Sequence, residues 1–122
     1  MKIATSITKL EERIQITDGE EVVLDLPVRL NVTDMCSQIT QKRVELQAAL
    51  ESGDAEQIGE AFVALYEICL GKDNTAQLLE YYMNDYVTMI NDLTPFFTDV
   101  IFPAVDTARE RLIESRKKVK AS

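Results

Sequence analysis

Arg13-Ile14-Gln15-Ile16-Thr17, Asp18-Gly19, and Glu21-Val22-Val23-Leu24-Asp25-Leu26 decide the start of the fold. Each flank alternates polar and apolar residues, the period of a strand with one buried face. Asp-Gly between such flanks marks a tight hairpin turn, because few residues tolerate the positive φ that matches strand twist. Ile14 and Ile16 are expected to share one face with Val22, Leu24 and Leu26, while Arg13, Glu21 and Asp25 stay in water. Pro27 cannot donate to a ladder and is expected to end the second strand. An isolated hairpin is marginal in water, so its apolar face must pack on helices or on a partner's strands.

Beyond Asn31 the period becomes helical. Asn31 or Thr33 can cap a first helix, with Asp34 in the first turn, where the helix dipole favours an acid. Met35, Ile39, Leu46 and Leu50 mark its inner face, with Cys36 and Ala49 beside it, and Gly53 is a left-handed stop. Asp54 and Gln57 form a capping-box pattern for a second helix carrying Ile58, Ala61, Phe62, Leu65, Tyr66 and Cys69, which Gly71 stops. Asn74 is expected to open a third helix that runs on through Leu78, Leu79, Tyr82, Met83, Tyr86, Met89, Ile90 and Leu93. Thr94-Pro95 reads as the start of a fourth, and Pro103 predicts a kink or break near Ile101. Val105, Ala108, Leu112 and Val119 carry the pattern onward. The expected fold is mainly α with a small N-terminal β-hairpin (α+β), about four helices in one domain over 1–122. The hairpin covers about 12–26 and the helical body about 33–118.

Composition narrows the function. The 122 residues carry 46% apolar and 28% charged side chains, enough to bury a core. With no His and two Cys, four-ligand zinc sites and imidazole-based triads are excluded. Cys36 and Cys69 read as buried free thiols in a reducing compartment. Residues 1–6 lack the apolar core of a signal peptide, and no stretch is long and apolar enough to span a membrane. The expected location is cytoplasmic. Gly71-Lys72 is followed by Asp73, outside any phosphate-loop pattern, so no cofactor or small-molecule substrate is expected.

The formal net charge is -8, distributed as -6 over residues 1–60, -6 over 61–108 and +4 over 109–122. This balance disfavours nucleic acid as a partner. The basic end (Arg109, Arg111, Arg116, Lys117, Lys118, Lys120) complements a helix C-terminus or docks an acidic partner. Asp85, Asp92, Asp99 and Asp106 recur every seven residues. Successive members on a helix would stand about 10 Å apart, too far to share a metal ion or a proton. The row reads as a solvated face, and charge reversal at Asp85 and Asp92 is expected to leave folding intact.

Tyr81, Tyr82, Tyr86, Phe96, Phe97 and Phe102 place six of eight aromatics within 22 residues. Adjacent pairs on a helix cannot face the same way, so one ring of each pair is expected at a second surface. Exposed aromatics mark protein contacts more often than catalytic pockets. These six and Met83 are the candidate contact residues, with no catalytic or metal-binding residue expected.

The layout resembles a known family. A strand hairpin precedes a helical body containing Glu60-Ala61-Phe62-Val63-Ala64-Leu65-Tyr66-Glu67-Ile68-Cys69-Leu70-Gly71 and Leu78-Leu79-Glu80-Tyr81-Tyr82. Leu93-Thr94-Pro95-Phe96-Phe97 to Ile101-Phe102-Pro103 and a charged end follow. Over roughly residues 9–113 this resembles the small tail assembly chaperones, and related tail-cluster proteins, of long-tailed phages and prophages. The likeness is one of layout and size, without a diagnostic motif, so it transfers no site residue. It implies a non-enzymatic protein of the bacterial cytoplasm that shields the tape-measure protein while tail-tube subunits assemble. It also implies self-association and, in many members, a longer frameshifted form. The alternative is another small phage structural or interaction protein, such as a tail-completion component or an acidic inhibitor of a host factor.

Overall fold

The computed structural model describes residues 1–5 and 7–121. Ser6 and Ser122, both within the expected domain, lie outside the described residues. Strand β1 (Lys9–Asp18) pairs antiparallel with β2 (Glu21–Asn31), and the helices α1 (Val32–Ser52), α2 (Ala55–Leu70), α3 (Lys72–Tyr81), α4 (Tyr86–Phe96) and α5 (Phe102–Ala121) follow. A π-helical turn, Phe97–Ile101, joins α4 to α5. Together α4, the π turn and α5 form one rod, so the chain is a hairpin followed by four helical segments.

The hairpin is longer than the sequence suggests. Ile14 lies opposite Leu26, and Ile16 opposite Leu24, on the face that packs inward. Pro27 does not end β2; it sits opposite Arg13, and the strand continues to Asn31. Its carbonyl accepts a hydrogen bond from Asn74 Nδ2 at 2.6 Å, so this residue's polar edge points away from β1. The missing N–H therefore falls on the outer edge and removes no ladder bond. The loop residues are Gly19 (φ +64°) and Glu20, one position later than expected. Register shifts between Ile16 and Thr17, and Val22, expected inside, is exposed with the rest of residues 17–23. The tip of the hairpin reaches past the helices that cover its base.

Asn31 caps α1 by accepting from the Asp34 amide, and Gly53 closes it at φ +71°. Asp54 caps α2 through the amides of Glu56 and Gln57. Asn74 does not open α3, which begins at Lys72. Its amide instead bridges the carbonyls of Pro27 and Leu70, tying the hairpin to the α2–α3 junction.

Two further expectations fail, in opposite ways: in one, local capping chemistry overrides a continuous apolar pattern, and in the other a continuous helix overrides a local capping signal. The run from Asn74 to Leu93 is two helices. Met83 (φ +51°) and Asn84 (φ +60°) are left-handed. The Met83 amide donates to Glu80 and the Asn84 amide to Leu79, a Schellman ending for α3. Asp85 then caps α4, accepting from the amide and the hydroxyl of Thr88. Such Asx side chains offer the backbone partners outside the helical ladder. Thr94-Pro95, by contrast, starts nothing: Pro95 lies within α4.

The irregularity expected from Pro103 is present as the π turn, whose closing bond runs from the Phe102 amide to the Phe97 carbonyl. Met89, Leu93, Phe97, Ile101 and Val105 recur every four residues, and all are buried. Each step of four overshoots an ordinary helical turn by about 40°. The wider π turn takes up that drift and keeps the stripe on the core. One cluster of buried side chains includes both strands and every helix, from Ile14 and Leu26 through Ile39, Leu65 and Leu78 to Ala108.

Candidate protein-contact surface

The turn between α3 and α4 carries a run of exposed apolar side chains. Tyr81, Met83, Tyr86 and Val87 are all exposed, Met83 at 86% and Val87 at 70%. Leaving these side chains in water forgoes the burial energy that comparable residues gain in the core. The left-handed backbone at Met83 adds about 1–2 kcal/mol of steric cost for a residue with a Cβ. With the Met83 side chain 86% exposed, little of its burial offsets that cost.

The seven candidate residues separate by depth. Tyr82 is buried, and its hydroxyl donates to Asp92 Oδ2 at 2.8 Å. Phe97 is also buried, stacked on Tyr66 with centroids 4.6 Å apart and planes 16° from parallel. Phe96 and Phe102 are half-buried against the core. Arg43 lies 4.0 Å above the Phe102 ring and pairs with Asp106 at 2.9 Å, clamping α1 to α5. Tyr81, Met83 and Tyr86 remain at the surface, so the Tyr81-Tyr82 pair divides as expected, whereas in the Phe96-Phe97 pair both rings pack on the core.

Tyr86 also walls an open groove of about 770 Å³ that runs along α2. Gly59, Val63, Ala64 and Ile68 are among the apolar residues lining it, and Glu56, Glu60 and Glu67 line it as well. The Tyr86 ring lies over Gly59, where a Cβ would meet it at 3.8 Å. Val63 and Ala64 lie off the inner face marked by Ile58, Ala61, Phe62, Leu65, Tyr66 and Cys69, but nothing in the sequence joins them to Tyr86 as one groove.

The aspartates of the seven-residue row are all exposed but have separate tasks. Asp85 is a cap, Asp92 receives Tyr82, Asp99 receives the Thr98 hydroxyl, and Asp106 pairs with Arg43. Hydrogen bonds from the Thr88 hydroxyl and amide hold the Asp85 carboxyl below its usual range. Both cysteines are buried and free, and burial pushes the Cys69 thiol up to about 12. Burial, then Asp92, likewise raises Tyr82, and burial raises Tyr66. Among the described residues no group of three acidic or sulfur ligands could hold a metal ion. No helix among them is long and apolar enough to cross a membrane.

Comparison with known protein families, with curated proteins and with solved structures returns no match to this chain.

Proposed function

We propose that this chain is a non-enzymatic contact protein that covers an apolar helix of a partner during assembly. The observation that carries the reading is Met83: a large apolar side chain, 86% exposed, on a left-handed turn that the fold would hold more cheaply with glycine. Tyr81, Tyr86 and Val87 extend that surface, and Met and Tyr suit a contact that must adapt to its partner. Tyr82 supports Tyr81 from behind, their rings edge to face with centroids 5.2 Å apart. In this reading the partner is the tape-measure protein of a long-tailed phage, with tail-tube subunits as the second candidate, as the resemblance to tail assembly chaperones implies. The site of action is the bacterial cytoplasm.

A second reading has its own support. Lys72 is the single basic residue between positions 44 and 108, against a dense set of acids, a composition suited to inhibiting a host factor that binds nucleic acid. The basic end of α5 weighs against it. Affinity purification from an induced prophage host, with mass spectrometry of the retained proteins, separates the two. A very long helical protein supports the chaperone reading, and a host polymerase, nuclease or repressor replaces it with the inhibitor.

A further inference from the structure

We propose that the groove along α2 receives the basic end of α5 from a second copy of this chain, in a head-to-tail contact. The proposal rests on the reading of the chain as a contact protein and names one of its partners.

Glu56, Glu60 and Glu67 line the groove at intervals of four and seven residues along one helix. Among the described residues none of the three has a basic partner; Lys42 and Lys72 also line the groove, but Lys42 is already bonded to Glu45 at 3.0 Å and Lys72 lies at the far end, beyond Glu67. On α5, Arg109, Arg116 and Lys120 are exposed and stand at intervals of seven and four. The two spacings are mirror images, so antiparallel helices would bring Glu56 to Lys120, Glu60 to Arg116 and Glu67 to Arg109. Both triads span about 16 Å at the usual rise per residue.

The same register matches the apolar residues. Val63 and Ala64, between Glu60 and Glu67 in the groove, would meet Ile113 and Leu112, between Arg116 and Arg109. Leu112 and Ile113 are 39% and 41% exposed and, with Arg109 and Arg116, line a crevice against Cys36, Ser37, Thr40 and Gln41 of α1, so a second neighbour would cover the part of this face that α1 leaves open. Beyond Ala108 no side chain of α5 up to Lys120 is buried. A two-fold pairing of one α2 groove against another would set acid against acid, which disfavours it. A head-to-tail contact uses different faces on the two copies and therefore closes into a ring or extends as a chain.

The test is sedimentation velocity on the full chain over concentrations up to about 1 mM, at about 0.05 M and about 1 M NaCl. Glu60→Lys, Arg116→Glu and their equimolar mixture are run beside the wild type, with circular dichroism confirming the fold. Both positions are exposed, so folding is expected to be unchanged. The expected result is wild-type mass that rises with concentration at low salt and returns to the 13.8 kDa monomer at high salt. Each variant stays monomeric, and the mixture associates again, because each copy supplies the face the other lacks. A wild type that is monomeric throughout, variants that associate like the wild type, or a mixture that fails to recover would each overturn the proposal. If self-association is absent while the wild type still retains an assembly partner, only this inference falls.

Discussion

The Tyr66 ring on α2 lies nearly parallel to Phe97 on the π turn, 4.6 Å between centroids, and this stack joins the centre of the hairpin-side helices to the C-terminal rod. Phe96 and Phe102 meet the same ring from other angles. Removing Phe97 would leave a cavity that three neighbouring rings cannot refill without moving backbone. Phe97→Ala is therefore expected to cost about 3–5 kcal/mol. Urea denaturation checks it, and a loss below about 1 kcal/mol would mean that the ring is not held in the core.

The aspartate row should respond unevenly to charge reversal. Asp85→Lys removes a helix cap and is expected to cost about 1 kcal/mol. Asp92→Lys leaves the buried Tyr82 hydroxyl without its acceptor, at a similar cost of about 1 kcal/mol. Asp99→Lys, which loses only a neighbouring threonine hydroxyl, should stay within about 0.5 kcal/mol. Effects within about 0.5 kcal/mol at all three positions in urea melts would return the row to a plain solvated face.

Met83→Gly separates folding from contact. The substitution relieves the left-handed strain while raising the entropy of the unfolded chain, so stability should stay level or rise by up to about 1 kcal/mol. Retention of the partner should fall. Thermal melts beside partner capture check both halves, and a clear loss of stability would show that the Met83 side chain serves the fold.

Alkali should destabilise the chain before it affects an ordinary helical protein. Cys69, Tyr66 and Tyr82 have folded-state pKa values above their unfolded ones, so their contribution is intact below the unfolded values of 9.0 and 10.0. It is lost as pH rises toward and through the folded values, because the unfolded chain releases those protons first. Denaturant midpoints should fall steadily above the 9.0 of an unperturbed thiol. The same burial predicts that Cys69 resists thiol reagents at neutral pH until the protein unfolds.

The fold was readable where one local signal acted alone. Asp18-Gly19, Asn31, Gly53 and Asp54 each marked a boundary through a conformation or a cap that few residues supply, and the structure places boundaries there within a residue. It was misread where signals competed. Between Tyr82 and Asp85 the apolar spacing continued while Met83 and Asn84 turned the backbone and Asp85 capped a new helix. Pro95, read as a helix start, and Pro27, read as a strand end, were both accommodated inside their elements, Pro27 because its missing N–H lies on an outer edge. The surface followed the same rule. An exposed ring in the Tyr81-Tyr82 pair could be anticipated, but which ring turns outward depends on the left-handed turn that follows. The groove depends on how α4 lays Tyr86 against α2, which no local pattern encodes.

Site-specific photocrosslinking in an induced prophage host tests the central claim most directly. A photoreactive amino acid replaces Met83 in one strain and Asp99, exposed but outside the patch, in another. The account predicts an adduct with a very long helical protein from position 83 and none from position 99. Equal adducts at both positions, or none at position 83 while the assembly partner is being made, would contradict it.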